Sequence, residues 1–214
     1  MSKNNPSYLY NPELCPCPKA VKTNCPRFRN CEACIANHRV EGNPQQTACE
    51  KMATLIVYYS LEDNTDFVAK KVAEALGYET LRLVPVKKYY KGGFLKFLIG
   101  GFDAVKERTP ALKPYEFHAE NYARVIFGFP VWAGNVTPPV RTFIKENDLS
   151  GLKIAAFACQ GGSGADKAFG KLKEALGIGA LEAELVLNDP KSKPSKEDDK
   201  QIQEFCAKLK DGLR

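Results

Sequence analysis

Apolar residues fall into short runs that are separated by polar turns and by longer stretches with helical spacing. The short runs predict five strands, at residues 53–59, 79–84, 125–129, 153–158 and 181–187. Between the strands, apolar residues three or four positions apart predict helices, among them residues 165–176 and 196–209. Strands that alternate with helices predict an α/β fold. We expect a three-layer sandwich in which helices cover both faces of a five-stranded parallel sheet of strand order 2-1-3-4-5.

The third predicted strand and the loop after it differ from the rest of the pattern. Residues 125–129 are almost all apolar, as in a buried central strand, and then Pro130 and Gly134 interrupt the run. The loop carries Trp132, the only tryptophan in the chain. Open α/β sheets bind ligands at the carboxyl ends of their strands, so Trp132 is a candidate ligand contact. The alternative is that Trp132 only covers the core.

The loop after the first predicted strand has the composition of an anion site. Residues 60–65 read SLEDNT and precede a helix whose apolar face begins at Phe67. The backbone amides of such a turn and the amino end of the helix attract anions, and the hydroxyls of Ser60 and Thr65 complete a phosphate site without a lysine. The alternative is an ordinary helix start with Asp63 or Asn64 as its N-cap.

Together, the two loops resemble those of the flavodoxin-like family, in particular the short flavodoxin-domain proteins of anaerobes. The first strand ends in S-x-x-x-N-T and the third ends in F-P-V-W-A-G, and the resemblance covers residues 53–212. It implies a flavodoxin-like, FMN-binding domain. The phosphate role falls to Ser60, Asn64 and Thr65. The ring and ribityl role falls to Pro130, Trp132, Ala133, Gly134 and Asn135.

By the same resemblance, the loop after the fourth strand surrounds the polar edge of the flavin. Its cofactor-binding residues are Cys159, Gly161 and Gly162, and the glycines allow a close approach. For Cys159, the alternative is a small buried residue at a strand end. Residues 159–166 contain no second stacking aromatic, which leaves one flavin face open or covered by Tyr89, by Tyr90 or by the amino-terminal segment.

Two acidic residues depart from the family pattern. The chain has Glu62 and Asp63 where the family usually has a hydroxyl residue and a glycine. Carboxylates repel a phosphate dianion unless they point to solvent. The alternative function is therefore a non-catalytic binding protein that has the fold, has lost its flavin and keeps a structural metal module.

Six cysteines crowd the first fifty residues with the spacing C-x-C-x7-C-x5-C-x2-C-x14-C: Cys15, Cys17, Cys25, Cys31, Cys34 and Cys49. This segment resembles small cysteine-rich modules of anaerobic bacteria. It has too few large aliphatic residues to form a hydrophobic core, so we expect a metal or disulfides to stabilise it. Because the chain shows no secretion signal, we expect a metal rather than disulfides. Thiolates suit zinc or, as the alternative, a 4Fe-4S cluster. We predict a metal-binding module at residues 1–50, with His38 either a ligand or an ordinary helix residue.

Lysines and aromatics are interleaved in residues 85–114. Such a mixture is found at surfaces for single-stranded nucleic acid, but a helix at residues 94–106 explains the same spacing. The net charge of +6 falls short of a nucleic-acid-binding signature and suits an acidic redox partner protein. We therefore expect no nucleic acid partner.

The remaining features of the chain limit its function. No apolar segment approaches the ~20 residues of a membrane span, and the amino terminus lacks the features of a signal peptide, so we expect a cytoplasmic protein without a membrane partner. With FMN, the expected function is that of an electron carrier or a small flavin-dependent reductase, of open oligomeric state. If the cysteines hold an iron–sulfur cluster, we expect the module to lie against the open flavin face and exchange electrons with FMN.

Overall fold

One parallel sheet forms the centre of the protein. The computed structural model describes residues 6–17, 25–39, 45–87, 89 and 101–210. The strands are β1 Thr54–Tyr58, β2 Glu79–Arg82, β3 Arg124–Pro130, β4 Lys153–Gln160 and β5 Glu184–Asn188. Their order in the sheet is β2-β1-β3-β4-β5 and every pair is parallel, which confirms the predicted topology.

Helices cover both faces of this sheet. The named helices of the described residues are α1 Cys31–His38, α2 Ala48–Met52, α3 Asn64–Leu76, α4 Pro138–Glu146, α5 Ala165–Leu176 and α6 Lys196–Lys210, and those that cover the sheet are α3 to α6. The apolar sides of α3 and α6 belong to one buried cluster, and those of α4 and α5 belong to the cluster on the other face. The predicted three-layer sandwich is therefore confirmed.

Part of the chain after β2 cannot be compared with its prediction. The predicted helix at residues 94–106 lies mostly outside the described residues, as does Tyr90, whereas residues 101–105 are helical. In the described part of the chain, no helix has both the length and the apolar character needed to cross a membrane.

Gly128 occupies the one position in β3 where the neighbouring strand leaves no room for a side chain. Its partner in the register of β4 is Phe157, and both residues are buried. A Cβ atom at residue 128 would lie 2.2 Å from Phe157 Cζ. The aromatic ring therefore covers the glycine, and the close approach requires glycine there.

We predict that Gly128→Ala lowers the free energy of unfolding by about 1–3 kcal/mol, because the added methyl group overpacks the core against Phe157. Urea unfolding measures the change at constant m-value. The matched control is Gly170→Ala in α5, where an added Cβ meets nothing within 4 Å. That control is expected to be neutral or to stabilise by up to ~1 kcal/mol. If Gly128→Ala unfolds at the same urea concentration as the wild type, this account of Gly128 is wrong.

A buried ion pair closes the amino-terminal end of the sheet. Arg124 is fully buried, and its Nε and Nη2 atoms each donate to the Glu182 carboxylate at 2.6 Å. Its Nη1 atom donates to the Leu209 carbonyl at 2.9 Å. Gln46 donates to the same carbonyl at 3.1 Å and accepts a hydrogen bond from the Tyr78 hydroxyl. Since a buried charge is tolerated only with such partners, the network fixes the chain before β1 against the end of α6.

The amino-terminal residues lie at this same end of the sheet. The Tyr8 hydroxyl donates to the Asn121 carbonyl at 2.7 Å, and Leu9 packs on Ala53 and Ala123, which precede β1 and β3. The loops expected to hold flavin follow the opposite ends of the strands. The prediction that the cysteine-rich module lies against those loops is therefore wrong.

Chain connectivity explains this difference. α2 ends at Met52 and β1 begins at Thr54, so only Ala53 joins the helix that carries Cys49 to the sheet. A connection of one residue cannot reach the far edge, because a seven-residue strand such as β3 spans about 20 Å at ~3.3 Å per residue.

Candidate functional site

A cavity of about 580 Å³ opens at the carboxyl ends of β1, β3 and β4. The predicted cofactor residues that line it are Ser60, Asn64, Thr65, Pro130, Trp132, Ala133, Cys159 and Gly161. Residues that line it without having been predicted are Leu61, Gly101, Val131, Gln160 and Asp189, together with Glu62. The structure therefore brings the three predicted loops to one concave surface, together with Gly101 and Asp189 from two other segments.

Two buried hydroxyl groups at this cavity have no hydrogen-bonding partner. Ser60 Oγ and Thr65 Oγ1 are both buried, and within the described residues neither atom makes a hydrogen bond of ordinary geometry. The Thr65 hydroxyl does lie close enough to the Cys159 thiol to lower the pKa of that thiol, but a thiol is a weak partner that a phosphate oxygen can replace. An unpaired buried hydroxyl costs about 1–3 kcal/mol, so the pair is a polar surface that a ligand can satisfy. Both lie next to the start of α3, whose first amides and dipole attract an anion.

Asp63 occupies the N-cap position of α3, but its side chain does not cap the helix. It has a positive φ of 65°, and its side chain makes no capping hydrogen bond. Instead, its carboxylate pairs with Arg82 Nη2 at 3.4 Å and with Lys191 Nζ at 3.5 Å. Asn64 Oδ1 accepts a hydrogen bond from the Lys191 backbone at 2.9 Å. The negative charge of Asp63 is therefore offset by two cations, and Glu62, which also lines the cavity, has an exposed side chain.

Arg82 holds the first loop and does not itself line the cavity. It donates to the Ser60 carbonyl at 3.3 Å and to Asp66 Oδ1 at 3.0 Å. Burial alone would raise the pKa of Asp66, but hydrogen bonds from Lys70 and Tyr58 and the charge of Arg82 lower it below its ordinary value. Asp66 is therefore a stable anion that anchors Arg82. Sequence analysis missed Arg82, although the order β2-β1 places the end of β2 beside Ser60.

The loop after β3 folds into a very tight hairpin. The backbones of Trp132 and Asn135 hydrogen bond to each other, with N···O distances of 2.9 and 3.3 Å. The two residues between them, Ala133 and Gly134, both have positive φ, as a two-residue hairpin turn of this kind requires. Asn135 Nδ2 donates to the Ala133 carbonyl at 2.9 Å. Gly134 and Asn135 do not line the cavity, and their part in the site is to shape the loop that holds Trp132.

Trp132 is fixed by two aromatic neighbours. Its ring packs edge-to-face on Tyr59, with a centroid distance of 5.7 Å, and on Tyr89, with a centroid distance of 5.0 Å. The Tyr89 hydroxyl in turn contacts Asp103 Oδ2 at 3.4 Å. Such aromatic pairs define the plane of a ring as well as burying it. Trp132 therefore both covers the core and presents a positioned aromatic wall to the cavity.

The carboxyl end of β4, with Cys159 and Gln160, and the loop after it form another wall. Cys159 is buried there, and burial raises the pKa of its thiol to about 12, so it stays protonated at neutral pH. Gln160 Oε1 accepts a hydrogen bond from the Ala165 amide at 3.0 Å and thereby holds the start of α5. Gly161 lies near Asp189, and a Cβ added to it would be 3.6 Å from the carboxylate. Gly162, the third residue predicted in this loop, does not line the cavity.

The position of the cavity defines the class of protein. The strand order reverses between β1 and β3, and the loops after these strands form two of the cavity walls. Open parallel α/β sheets bind their ligands at this switch point. The family model described as Flavodoxin matches residues 53–203, more than half of the chain. The chain therefore belongs to the flavodoxin family.

Solved structures show the same fold. A protein from Bacteroides uniformis has 24% sequence identity and a TM-score of 0.58, and the match covers 70% of this chain and 95% of that one. A flavoprotein from Lactobacillus acidophilus, solved in complex with FMN, has 18% identity and a TM-score of 0.57, with 72% and 98% of the two chains covered. No curated protein matches this sequence.

The six amino-terminal cysteines meet at a second, small cavity of about 40 Å³. The sulfur-bearing residues that line it are Cys15, Cys17, Cys25, Cys31, Cys34 and Cys49. All six are free thiols. Burial first, and then the neighbouring cysteines, raise the pKa of Cys34 to about 11. His38 is not part of the lining, and across the described ranges no three Cys, His, Asp or Glu side chains are arranged to hold a metal ion.

Proposed function

We propose that the cavity at the carboxyl ends of the strands binds FMN and that the protein transfers electrons, as a carrier or as a small flavin-dependent reductase. The observation that carries this proposal is the pair of buried, unpartnered hydroxyls of Ser60 and Thr65 beside the amino end of α3. A phosphate is the ligand group that satisfies both hydroxyls and also benefits from the helix dipole. Membership of the flavodoxin family and the FMN complex of the Lactobacillus acidophilus flavoprotein support the choice of FMN.

The residues present fit FMN. Ser60, Asn64 and Thr65 hold the phosphate, and the charge of Asp63 does not oppose it because Arg82 and Lys191 pair with that carboxylate.

The second loop supplies the apolar wall for the ring system. Trp132 is oriented there by Tyr59 and Tyr89, and Pro130 and Ala133 lie on the same wall. Bound flavin supplies the electron-transfer chemistry, while the protein determines its position and reduction potential. The net charge of +6 favours an acidic partner protein as donor or acceptor.

The alternative function is a non-catalytic binding protein with this fold. This alternative depends on repulsion of the phosphate by Glu62 and Asp63. Because Asp63 pairs with Arg82 and Lys191, the repulsion would come from Glu62 alone. A wild-type protein that fails to quench the fluorescence of FMN at micromolar concentrations would favour this alternative.

We predict that Ser60→Ala and Thr65→Val each weaken FMN binding about 10- to 100-fold. A hydrogen bond to a charged group contributes about 1.5–3 kcal/mol, and each substitution removes one such bond to phosphate. Without FMN, the same variants are expected to be as stable as the wild type or more stable, because the hydroxyls have no partner to lose. Fluorescence titration gives the dissociation constants, and urea unfolding of the flavin-free proteins gives their stabilities.

The matched control is Thr142→Val in α4, away from the cavity. The Thr142 hydroxyl is buried and contacts the carbonyls of Pro110 and Pro138 at 2.9 and 3.1 Å. Its loss should lower stability by about 1 kcal/mol and leave FMN affinity unchanged. Unaltered FMN affinity in both Ser60→Ala and Thr65→Val would show that the phosphate does not bind there.

The second candidate function is metal binding by the six cysteines, because all of them line one cavity and none is in a disulfide. A set of cysteines that lines one cavity has the ligand type that zinc or an iron–sulfur cluster prefers, and metal binding would have to draw the sulfur atoms closer together. The cysteines come from α1, from α2 and from irregular segments, so a bound metal would join parts of the chain that share little buried surface.

We predict that the protein, purified without oxygen, contains zinc or iron by elemental analysis and that Cys34→Ser reduces the content. Cys34 lines the cavity with the other five cysteines and lies on α1. The matched control is Cys206→Ala, since Cys206 is buried in the core between α6 and the sheet and should not affect metal content. Metal-free protein whose six amino-terminal thiols all titrate in the folded state would contradict the proposal.

A further inference from the structure

We propose that Cys49 is the metal ligand that the flavodoxin sheet itself supplies, so that metal bound among the cysteines stabilises the sheet. This inference rests on the proposed metal site and goes beyond it, since it assigns one cysteine a coupling role. Five of the six cysteines lie at residues 15–34. Cys49 lies on α2, and this helix is joined to β1 by the single residue Ala53.

Backbone hydrogen bonds connect Cys49 to the sheet. The Ala53 amide donates to the Cys49 carbonyl at 3.0 Å. The Ala53 carbonyl accepts from the amides of Ala123 and Arg124 at 2.8 and 3.1 Å. The Ala123 carbonyl then accepts from the Lys153 amide at 3.0 Å. One chain of contacts therefore joins Cys49 to the amino-terminal ends of β1, β3 and β4.

The helix that carries Cys49 is itself firmly held. Thr47 and Glu50 form a reciprocal capping box at the start of α2, which fixes both ends of its first turn. The Thr47 hydroxyl also lies 3.1 Å from Cys49 Sγ. The side chain of Cys49 packs beside the buried residues Leu9, Ala53 and Ala123. Cys49 is therefore a preorganised ligand with little freedom to move towards the other cysteines.

The rest of the cysteine segment is attached more weakly. Cys31 and Cys34 lie on α1, a helix of eight residues with no buried residue. The fully buried Glu50 carboxylate on α2 accepts hydrogen bonds from Arg39, the residue after α1, and from the Tyr10 hydroxyl. These hydrogen bonds connect the amino-terminal segments to α2. Metal bonds that include Cys49 would add a direct link between α1 and the sheet.

Binding to the folded state alone stabilises that state by mass action. A metal held by Cys49 and by ligands from α1 exists only when both segments are in place, so it favours the folded form of both. A metal held only by the other cysteines would order their own segment and leave the sheet unchanged. The stability of the sheet therefore distinguishes the two arrangements.

The experiment follows thermal unfolding of the full-length protein with and without Zn²⁺, in reducing buffer, with Trp132 fluorescence as the signal. Trp132 is the only tryptophan and lies at the opposite end of β3 from the cysteines, so it reports on the sheet. Bound zinc is measured in the same samples. We expect saturating Zn²⁺ to raise the wild-type melting temperature by about 5 °C. In Cys49→Ser, zinc still binds through the remaining cysteines and this rise is lost.

The matched control is Cys17→Ser, which removes a cysteine that does not lie on α2. It should bind zinc less tightly and still show the rise in melting temperature at saturation. A full rise in zinc-loaded Cys49→Ser would overturn the inference, because the coupling would not depend on Cys49. A wild-type protein that binds zinc without any rise would overturn the inference but not the metal site. A wild-type protein that binds no zinc in this experiment and contains no iron when it is purified without oxygen would overturn both.

A measurement on the wild type alone gives the same decision if Cys49→Ser does not fold. Zinc should slow amide hydrogen exchange at Ala53, Ala123 and Lys153 about tenfold or more, because these amides belong to the chain of contacts from Cys49. Exchange of the Val131 amide, which is bonded to the Cys159 carbonyl at the other end, should not change. Equal protection at both ends, or at neither, would overturn the inference.

Discussion

The parallel pairing of the strands is the constraint on which the rest of the structure depends. Because β1, β3 and β4 run in the same direction, the loops that follow them meet at one edge of the sheet. That is why Ser60, Trp132 and Cys159, which are far apart in the sequence, line one cavity. The same constraint sends the chain that precedes β1 to the opposite edge, together with its cysteines.

Electrostatic balance makes the first loop suitable for an anion in spite of its acidic residues. Asp63 and Asp66 share Arg82, and Asp63 also contacts Lys191 from the loop after β5. The carboxylates of Asp63 and Asp66 are therefore paired with cations, while Glu62 and the buried hydroxyls of Ser60 and Thr65 line the cavity. Among the described residues, Thr137 and Arg141 also have buried polar atoms without a partner, but only Ser60 and Thr65 place theirs in residues that line the cavity.

Much of the fold could be predicted from the sequence because it depends on local patterns. Alternation of apolar runs with helical spacing is sufficient for a parallel α/β sheet, the resemblance to the flavodoxin-like family selects the strand order, and the motifs around Ser60 and Trp132 indicate the cavity. The pairing of Lys191 with Asp63 could not be predicted, since it joins two loops only after the sheet has formed. The prediction that the cysteines lie against the flavin loops is wrong because only one residue separates α2 from β1. This short connection keeps Cys49 at the amino-terminal end of the sheet, whereas the flavin loops follow the carboxyl ends of the strands.

The central claim is that FMN binds with its phosphate at Ser60 and Thr65 and its ring system near Trp132. The most direct measurement is a titration of the flavin-free protein that follows Trp132 emission, with FMN and with riboflavin, which lacks the phosphate. This account predicts that FMN quenches the emission and saturates at about one molecule per chain, whereas riboflavin requires concentrations about 100-fold higher or more. Emission that FMN leaves unchanged, or equal affinity for the two flavins, would contradict it.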